Sequence, residues 1–358
     1  MREQTVLAHV RNRVGHLTLN RPAGLNALNL DMVRQLRQQL DAWLKDDQVR
    51  VVVLRANGEK AFCAGGDIRG LYDSYLAGDG MYMTFFAEEY ALDQLIHNYP
   101  KPVVALMDGF VLGGGMGLAQ AASHRVVTDR VKMGMPETGI GYFPDVGGSY
   151  FLPRLEGAIG HYLGITGTHI RAADALYCEL ADHCLGSELI GDLDLALDSM
   201  QWSAEPGSDL DQLLQKRASR KIPGSEIKAM RSAIDHHFSQ PDLQRIRASL
   251  AAEDRPAYQD WAERTLAAID SKSPLAMSVT LELLRQGREL SLADCFALEL
   301  HLDSQWFAKG DIMEGVRALI IDKDKSPKWN PPTLEDVSPV RVAEFFAGFE
   351  PGTPEGDR

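Results

Sequence analysis

A repeated unit of strand, glycine-rich turn and helix sets the fold class of this chain. Short valine-rich runs at 49–54 and 103–107 have the character of buried strands, and each leads into a glycine-rich loop. Apolar residues at helical spacing mark an amphipathic helix over 31–45. The segment 84–98 is also predicted as a helix, ended by Pro100 and Pro102. This alternation predicts an α/β fold, with sites built where the chain passes from a strand to a helix.

The pattern changes along the chain. Runs at 5–10 and 14–20 predict a hairpin that turns near Asn12. Strand signals largely vanish after about residue 155, and helices are expected beyond it. The shorter elements are predicted as a strand at 125–128 and helices at 116–122, 147–155, 275–285 and 292–307. We therefore expect a core with the site over residues 1–205, a helical C-terminal region over 206–340, and a tail over 341–358 that frays at its end.

Composition excludes several classes of protein. A net charge of −13 argues against nucleic-acid binding, because phosphate contacts need clustered Lys and Arg. No apolar run approaches the ~18 residues of a membrane span, and no secretory signal is visible. None of the four cysteines has the spacing of a metal site or a CxxC pair, and a reducing compartment fits best. We predict a cytoplasmic protein with no metal, no membrane partner and no nucleic-acid partner.

Two glycine-rich turns, Ala64-Gly-Gly66 and Gly113-Gly-Gly115, are the first candidates for function. Glycine allows the backbone to turn sharply and to approach a ligand closely. A following helix would point free N–H groups and the positive end of its dipole at that ligand, as the stabilisation of an acyl oxyanion requires. The alternative is that both are tight turns with close packing. Neither matches a dinucleotide fingerprint or a phosphate loop.

Two carboxylates, Glu137 and Asp145, stand in one short run and supply the groups needed for acid, base or nucleophilic chemistry. Each has a structural alternative. Asp145 has the position of a helix N-cap, and Glu137 could be solvated or ion-paired. Glu89 falls on a predicted helix, where a solvated face is the default. The combination of the carboxylates with two candidate oxyanion turns favours acyl chemistry.

Several motifs resemble those of a known family, the crotonase or enoyl-CoA hydratase/isomerase superfamily. They are Leu19-Asn-Arg-Pro22, Leu25-Asn-Ala-Leu28, Phe62-Cys-Ala-Gly-Gly-Asp-Ile-Arg69, Leu112-Gly-Gly-Gly115 and Met135-Pro-Glu137. A second set is similar to the 3-hydroxyisobutyryl-CoA hydrolase branch of that superfamily. It comprises Gly141-Tyr-Phe-Pro-Asp-Val-Gly-Gly148, Tyr150-Phe-Leu-Pro-Arg154, Ala175-Leu-Tyr-Cys178, Glu314-Gly-Val-Arg-Ala318, Ile321-Asp-Lys-Asp-Lys325 and Pro327-Lys-Trp329.

The resemblance implies a spiral of ββα units with a helical C-terminal region that packs subunits together, which is compatible with a homo-oligomer. It implies an acyl-CoA substrate and no cofactor beyond the coenzyme A of that substrate. It also implies roles for individual residues: an oxyanion hole from the amides of Gly66 and Gly114, a catalytic pair of Glu137 and Asp145, a substrate-contacting Glu89, and backbone contacts to adenine and pantetheine at Leu25, Asn26 and Ala64.

One position differs from the typical hydratases of the superfamily. They carry a second glutamate just after the glycine turn, where this chain has Gly117. Because glycine offers neither acid nor base, the resemblance favours hydrolysis of a short branched 3-hydroxyacyl-CoA, most simply 3-hydroxyisobutyryl-CoA in valine catabolism. Two alternatives stay open: a hydratase or isomerase reaction on another acyl-CoA, and a catalytically silent homologue that binds acyl-CoA or assists assembly.

Overall fold

The computed structural model describes residues 4–219 and 222–352, which cluster into two compact units. The sheet unit comprises the residues up to Asp67 together with Glu88–Gly134 and His169–Ala229. The helical unit comprises Ile68–Ala87, Met135–Thr168 and the residues from Met230 onward. The units interleave along the chain, so their limits differ from the predicted division at residues 205 and 340, which stays a prediction.

The strands of the described residues all belong to the sheet unit. They are β1 (Val6–Arg11), β2 (Val14–Leu19), β3 (Val51–Ala56), β4 (Ala61–Cys63), β5 (Val103–Met107), β6 (Phe110–Leu112), β7 (His124–Thr128), β8 (Lys132–Gly134) and β9 (His183–Leu185). The larger sheet has the order β1-β2-β3-β5-β7-β9, with an antiparallel pair β1–β2 and parallel pairing elsewhere. A smaller parallel sheet has the order β4-β6-β8.

The α-helices of the described residues follow in chain order. They are α1 (Leu30–Leu44), α2 (Ile68–Ala77), α3 (Met81–His97), α4 (Gly114–Ala121), α5 (Gly148–Phe151), α6 (Ile159–Thr166), α7 (Ala172–Tyr177), α8 (Ile190–Ser199), α9 (Pro206–Arg217), α10 (Glu226–Phe238), α11 (Leu243–Ala251), α12 (Gln259–Asp270), α13 (Pro274–Gly287), α14 (Leu292–Lys309), α15 (Ile312–Val316) and α16 (Pro339–Phe346). None of them combines the length and the apolar character needed to cross a bilayer.

The hairpin β1–β2 shows how local sequence fixes the edge of the large sheet. Asn12 and Arg13 have φ angles of 45° and 64°, the left-handed conformation that a two-residue hairpin turn requires. Asn12 tolerates it well, and its side-chain amide donates to the carbonyls of Leu197 (2.7 Å) and Met200 (2.9 Å). The predicted hairpin and its turn are therefore confirmed.

One hydrophobic cluster of the sheet unit lies on one face of the large sheet. Valine and leucine side chains of β2, β3, β5, β7 and β9 pack there against leucines of α8 and α9. These residues are Val14, Val51, Val53, Val104, Leu106, Val126, Leu185, Leu193, Leu197, Leu210, Leu213 and Leu214. Strand β5 is buried along its whole length, as its uninterrupted apolar run predicts.

The small sheet determines where the glycine turns lie. Strand β4 leads directly into Ala64-Gly-Gly66, and β6 leads into Gly113 and the start of α4. Because β4 and β6 are parallel neighbours, both turns emerge at the same edge of the sheet. The third strand, β8, ends at Gly134, three residues before Glu137 in the chain.

The structure confirms the α/β class and the mainly helical C-terminal region and corrects several details. The three-residue strands β4, β6, β8 and β9 were not predicted, and β9 lies beyond residue 155. The helix predicted at 147–155 is the short α5 followed by a 3-10 turn at Leu152–Arg154, because Pro153 interrupts regular helix. Residues 341–346, placed by the sequence in the tail, are helical in α16; residues 353–358 lie outside the described part.

Candidate active site

The two glycine turns lie side by side in the sheet unit. A Cβ atom built on Gly65 would stand 3.4 Å from the carbonyl oxygen of Leu112 and 3.8 Å from the nitrogen of Gly114. Gly65 has a φ of 101°, a conformation that a residue with a side chain rarely adopts. The sequence-predicted pair of turns is thus brought together, and glycine is required at the point of closest approach.

Both turns offer a backbone N–H group that secondary structure does not use. The bridge beside Gly66 consists of Leu28 N–H donating to Gly65 O (2.8 Å) and Asp67 N–H donating to Leu28 O (2.7 Å). Neither bond involves the N–H of Gly66. Gly114 is the first residue of α4, where an N–H group has no acceptor within the helix. Two donors on neighbouring turns are what an oxyanion hole needs.

Glu89 lies beside the second turn. Its carboxylate is buried, and a Cβ atom on Gly114 would overlap with its Oε1 atom. The solvated helix face expected by default is therefore wrong for Glu89, whereas it fits the half-exposed Glu88, which pairs with Arg34. The structure places Glu89 next to Gly114, and the substrate contact that the resemblance implies for Glu89 stays a prediction.

Cys63 ends strand β4 within the same motif. Burial, with smaller effects from Glu89 and Asp93, raises the pKa of its thiol to about 12. The thiol donates to the carbonyl of Gly65 at 3.6 Å. A buried thiol that stays protonated is a poor nucleophile, so Cys63 is a packing residue in this fold.

The residues predicted to meet coenzyme A also cluster in the sheet unit. Ala64 N–H donates to the carbonyl of Leu25 at 3.1 Å, and both residues are partly exposed. Asn26 is buried, and its side chain accepts from Arg21 N–H (2.8 Å) while donating to the carbonyls of Asn57 (3.0 Å) and Ala61 (2.9 Å). The Asn26 side chain therefore shapes this loop, and its polar atoms are used within the protein.

Glu137 lies in the helical unit at the start of a 3-10 turn, Glu137–Ile140. Its side chain is 6% exposed. The turn is anchored by Thr138, whose hydroxyl donates to the carbonyl of Ile165 (3.0 Å) and whose carbonyl accepts from Ser273 N–H (3.2 Å). The solvated reading of Glu137 is therefore wrong.

Asp145 occupies the same unit and is 5% exposed. Its Oδ2 atom lies 3.5 Å from the hydroxyl of Tyr142, which donates to the carboxylate of Asp303. The N-cap of α5 is Gly147, with no side chain capping that helix start. The alternative that Asp145 is the helix N-cap is therefore not supported.

Electrostatics couple these two carboxyl groups. Burial raises the pKa of Glu137 well above its usual value, and the negative charge of Asp145 raises it further. Lys272 opposes this shift, and the pKa of Lys272 is itself lowered by burial. Among the described residues, the Oε2 atom of Glu137 has no hydrogen-bond partner. A buried carboxyl with a free oxygen and a shifted pKa is suited to proton transfer or to attack on a carbonyl.

Two residues near the carboxylates were missed by the sequence reasoning. Lys272 precedes α13, and its Nζ atom would stand 3.0 Å from a Cβ atom on Gly139, within the Glu137 turn. Glu299 lies on α14 and bonds to the turn that follows Asp145. Of the two, only Glu299 could have been noticed in the sequence, because it interrupts the apolar stripe that Cys295 and Leu302 mark on α14.

A metal-based site is not indicated in the described part of the chain. Over residues 4–219 and 222–352, no group of three or more His, Cys, Asp or Glu side chains is placed to hold a metal ion.

Comparison with known proteins decides the family. The sequence profile described as Enoyl-CoA hydratase/isomerase matches residues 14–346. The chain belongs to the enoyl-CoA hydratase/isomerase family. A protein named "3-hydroxyisobutyryl-CoA hydrolase, mitochondrial" from Gallus gallus is 40% identical over 344 residues, covering 95% of this chain and 88% of the relative. The Dictyostelium discoideum protein of that name is 37% identical over 354 residues, 96% of this chain and 91% of the relative.

Solved structures from the family share the whole fold. A carnitinyl-CoA dehydratase from Mycobacterium thermoresistibile superimposes with a TM-score of 0.88 at 38% identity, covering 99% of this chain and 100% of that one. An enoyl-CoA hydratase from Rhodobacter sphaeroides gives a TM-score of 0.85 at 37% identity, covering 96% and 97%. These matches confirm the crotonase-like fold predicted from the sequence.

Proposed function

We propose that this protein hydrolyses a short branched 3-hydroxyacyl-CoA thioester, with 3-hydroxyisobutyryl-CoA as the preferred candidate. The products are the free 3-hydroxy acid and coenzyme A, which places the reaction in valine catabolism. The curated relatives that carry the name 3-hydroxyisobutyryl-CoA hydrolase support this substrate, since they match nearly the whole chain.

In the proposed reaction, the N–H groups of Gly66 and Gly114 bind the thioester oxygen as it gains negative charge. One such donor is worth ~3 kcal/mol of transition-state stabilisation. The start of α4 adds the positive end of its dipole at Gly114. The backbone near Leu25, Asn26 and Ala64 is proposed to hold the adenine and pantetheine parts of coenzyme A.

Glu137 acts in its ionised form by one of two routes. It attacks the thioester carbon, expels the coenzyme A thiolate and leaves a mixed anhydride that water hydrolyses, or it removes a proton from water that attacks directly. Asp145 and Glu89 orient the substrate hydroxyl or the water. Single-turnover hydrolysis in heavy-oxygen water separates the routes: label in Glu137 supports attack, and label only in the product supports a water route.

The observation on which this proposal depends is the identity of the acidic residue that acts together with Glu137. Position 117, in α4, is glycine and can move no proton. Glu137 has Asp145 as the neighbouring carboxylate that shifts its pKa. An acid pair placed in this way fits hydrolysis better than the two-glutamate hydration of the wider family.

The direct test is thiol release from 3-hydroxyisobutyryl-CoA compared with straight-chain 3-hydroxyacyl-CoA thioesters. We expect release to be fastest with the branched substrate. Crotonyl-CoA in a parallel absorbance assay tests the main rival, because hydration removes the enoyl band without releasing thiol. Loss of that band with no thiol release from any substrate would replace hydrolysis by hydration.

The rival reaction has an observation in its favour. Of the two solved structures described above, one is named a dehydratase and the other a hydratase, and their sequence identities to this chain are close to those of the hydrolases.

A catalytically silent homologue is the second rival. It would bind acyl-CoA yet release no thiol and consume no enoyl-CoA across the same panel. The buried Glu137 and Asp145 argue against it, because a silent protein has no physical need for two costly buried carboxyl groups.

The proposed chemistry uses no cofactor besides the coenzyme A of the substrate, so hydrolysis should survive dialysis against a chelator. We also propose a cytoplasmic location, because all four cysteines are buried and none has the spacing of a CxxC pair or a metal site, as a reducing compartment allows. The relatives are named as mitochondrial, and imaging of the tagged full chain distinguishes the two compartments. A homo-oligomer stays a prediction that light scattering can check.

A further inference from the structure

The turn that follows Asp145 has an unusual backbone. Val146 and Gly147 have φ angles of 50° and 83°, so two successive residues are left-handed. This conformation costs a β-branched residue such as valine ~1–2 kcal/mol. Gly148 N–H closes the turn by donating to the carbonyl of Asp145 at 2.7 Å. Something outside the turn has to hold it in this shape.

Glu299 of α14 does so. Its Oε2 atom accepts from Gly147 N–H at 2.8 Å, and its Oε1 atom accepts from Ser149 N–H at 3.0 Å and from the Ser149 hydroxyl at 2.5 Å. The side chain is fully buried. Two oxygens and three donors make a complete clamp, and a glutamine at this position would offer only one acceptor oxygen.

The same helix also holds the residues before Asp145. Asp303, one helical turn after Glu299, accepts from the hydroxyl of Tyr142. The chain is therefore fixed by α14 three residues before Asp145 and again two to four residues after it. Both ends of the segment that carries Asp145 are therefore held by the same helix.

We propose that Glu299 is a positioning residue for Asp145, acting through the turn Val146–Ser149 and without contact with the substrate. This inference rests on the proposed role of Asp145 in catalysis. It explains why a carboxyl group is retained in a core where apolar packing would cost less. A loose turn would leave Asp145 present but misplaced, and a displacement of about 1 Å can cost ~100-fold in rate.

The decisive measurement is a double-mutant cycle with Glu299→Gln and Asp145→Asn. The glutamine keeps the size but provides one acceptor oxygen, so the two N–H groups cannot both be satisfied. We expect kcat to fall ~10- to 100-fold with KM changed less than ~3-fold. If Glu299 acts through Asp145, the double variant is no slower than Asp145→Asn alone. The inference would be overturned if the rate losses of the two single variants multiplied in the double variant, or if Glu299→Gln had a normal kcat.

A matched control separates positioning from general loss of stability. Leu298 is equally buried on the same helix, but its apolar side chain forms no hydrogen bond with the turn. Leu298→Ala should lower the melting temperature and leave kcat within ~2-fold. Glu299→Asp, which keeps both oxygens, should recover part of the kcat lost in Glu299→Gln. A rate loss in Leu298→Ala that matches the loss in Glu299→Gln at equal destabilisation would favour a merely structural role.

Failure of the proposed function is distinguishable from failure of this inference. The double-mutant cycle is measured by thiol release if the wild-type protein releases thiol. If it does not, the cycle is measured by loss of the enoyl absorbance band. Amide hydrogen exchange provides a further test that does not depend on catalytic activity. Glu299→Gln should speed amide exchange at Gly147 and Ser149, and unchanged protection there would show that Glu299 does not hold the turn.

Discussion

A Cβ atom on Gly114 would overlap with the Oε1 atom of Glu89. The start of α4 therefore passes directly over a buried carboxylate, and the absence of a side chain on Gly114 allows this approach. The relationship joins two residues with different proposed tasks, one binding the thioester oxygen and the other orienting substrate or water. A single substitution at Gly114 should therefore disturb both tasks and leave the fold intact.

Gly114→Ala should fold normally and lose activity. The new methyl group meets the carboxylate at the end of the Glu89 side chain and no backbone atom, while a Leu28 methyl stays at an ordinary 3.5 Å. Because the carboxylate has to move, we expect kcat to fall ~100-fold. Gly115→Ala is the contrasting variant, since its methyl would overlap with the backbone oxygen of Cys63 and should destabilise the protein. Thiol release and thermal melting of both variants check this; full activity in Gly114→Ala would contradict it.

Glu137→Gln tests the proposed nucleophile or base. The amide preserves size but can neither attack a thioester nor accept a proton at neutral pH. We expect kcat to fall by ~1,000-fold or more, with the dissociation constant of a non-hydrolysable thioester nearly unchanged. Calorimetric binding and thiol release provide the two numbers. Turnover close to that of the wild type would remove Glu137 from the chemistry.

Lys272 contributes a positive charge that acts on the pKa of Glu137. Its positive charge favours the ionised carboxylate and so lowers the pKa of Glu137, against burial and Asp145. Lys272→Met removes that charge, so the pKa of Glu137 should rise further. The acid limb of the kcat profile should then move to higher pH, because Glu137 reacts as the anion. Lys272→Arg, which keeps the charge, should leave the limb near its wild-type position; identical limbs for wild type and Lys272→Met would exclude the coupling.

The sequence predicted the parts of this site better than their arrangement. The glycine turns and Glu137 stand in local motifs, and the α/β class follows from periodicity. The strands β4, β6 and β8 have only three residues each, which is too short for an alternating pattern to predict a strand. Their pairing nevertheless brings the two turns to one edge of a sheet. Lys272 and Glu299 are distant in sequence from Glu137 and Asp145. Only tertiary packing determines which charge each carboxylate meets.

Asn26→Ala should act on stability more than on substrate binding. Removing the side chain leaves Arg21 N–H and the carbonyls of Asn57 and Ala61 without their partner. We expect the free energy of unfolding to drop by ~2–4 kcal/mol. The exposed Asn98→Ala is a suitable control and should change it by less than ~0.5 kcal/mol. Urea unfolding measures both; weaker thioester binding at wild-type stability would instead assign the Asn26 side chain to the ligand.

The stability of the folded protein should depend on pH through Glu299. Burial raises the pKa of Glu299 from 4.5 to about 8 in the folded protein. The folded state therefore binds more protons than the unfolded state between these values, and the free energy of unfolding falls as pH rises through that window. The contribution of Glu299 is complete below its unfolded pKa and lost above about 8. The raised pKa of Glu137 acts in the same direction.

Glu299→Gln removes one of these two contributions. Its melting temperature should decline less steeply than that of the wild type between pH 5 and 9, although it starts lower because the turn is less well held. The exposed Glu289→Gln is the matched control, and its curve should run parallel to the wild-type curve. Calorimetric melts in buffers of equal ionic strength give the slopes. If Glu299→Gln also ran parallel to the wild type, Glu299 would have to be ionised throughout this range, and the clamp on the Asp145 turn would carry a fixed charge.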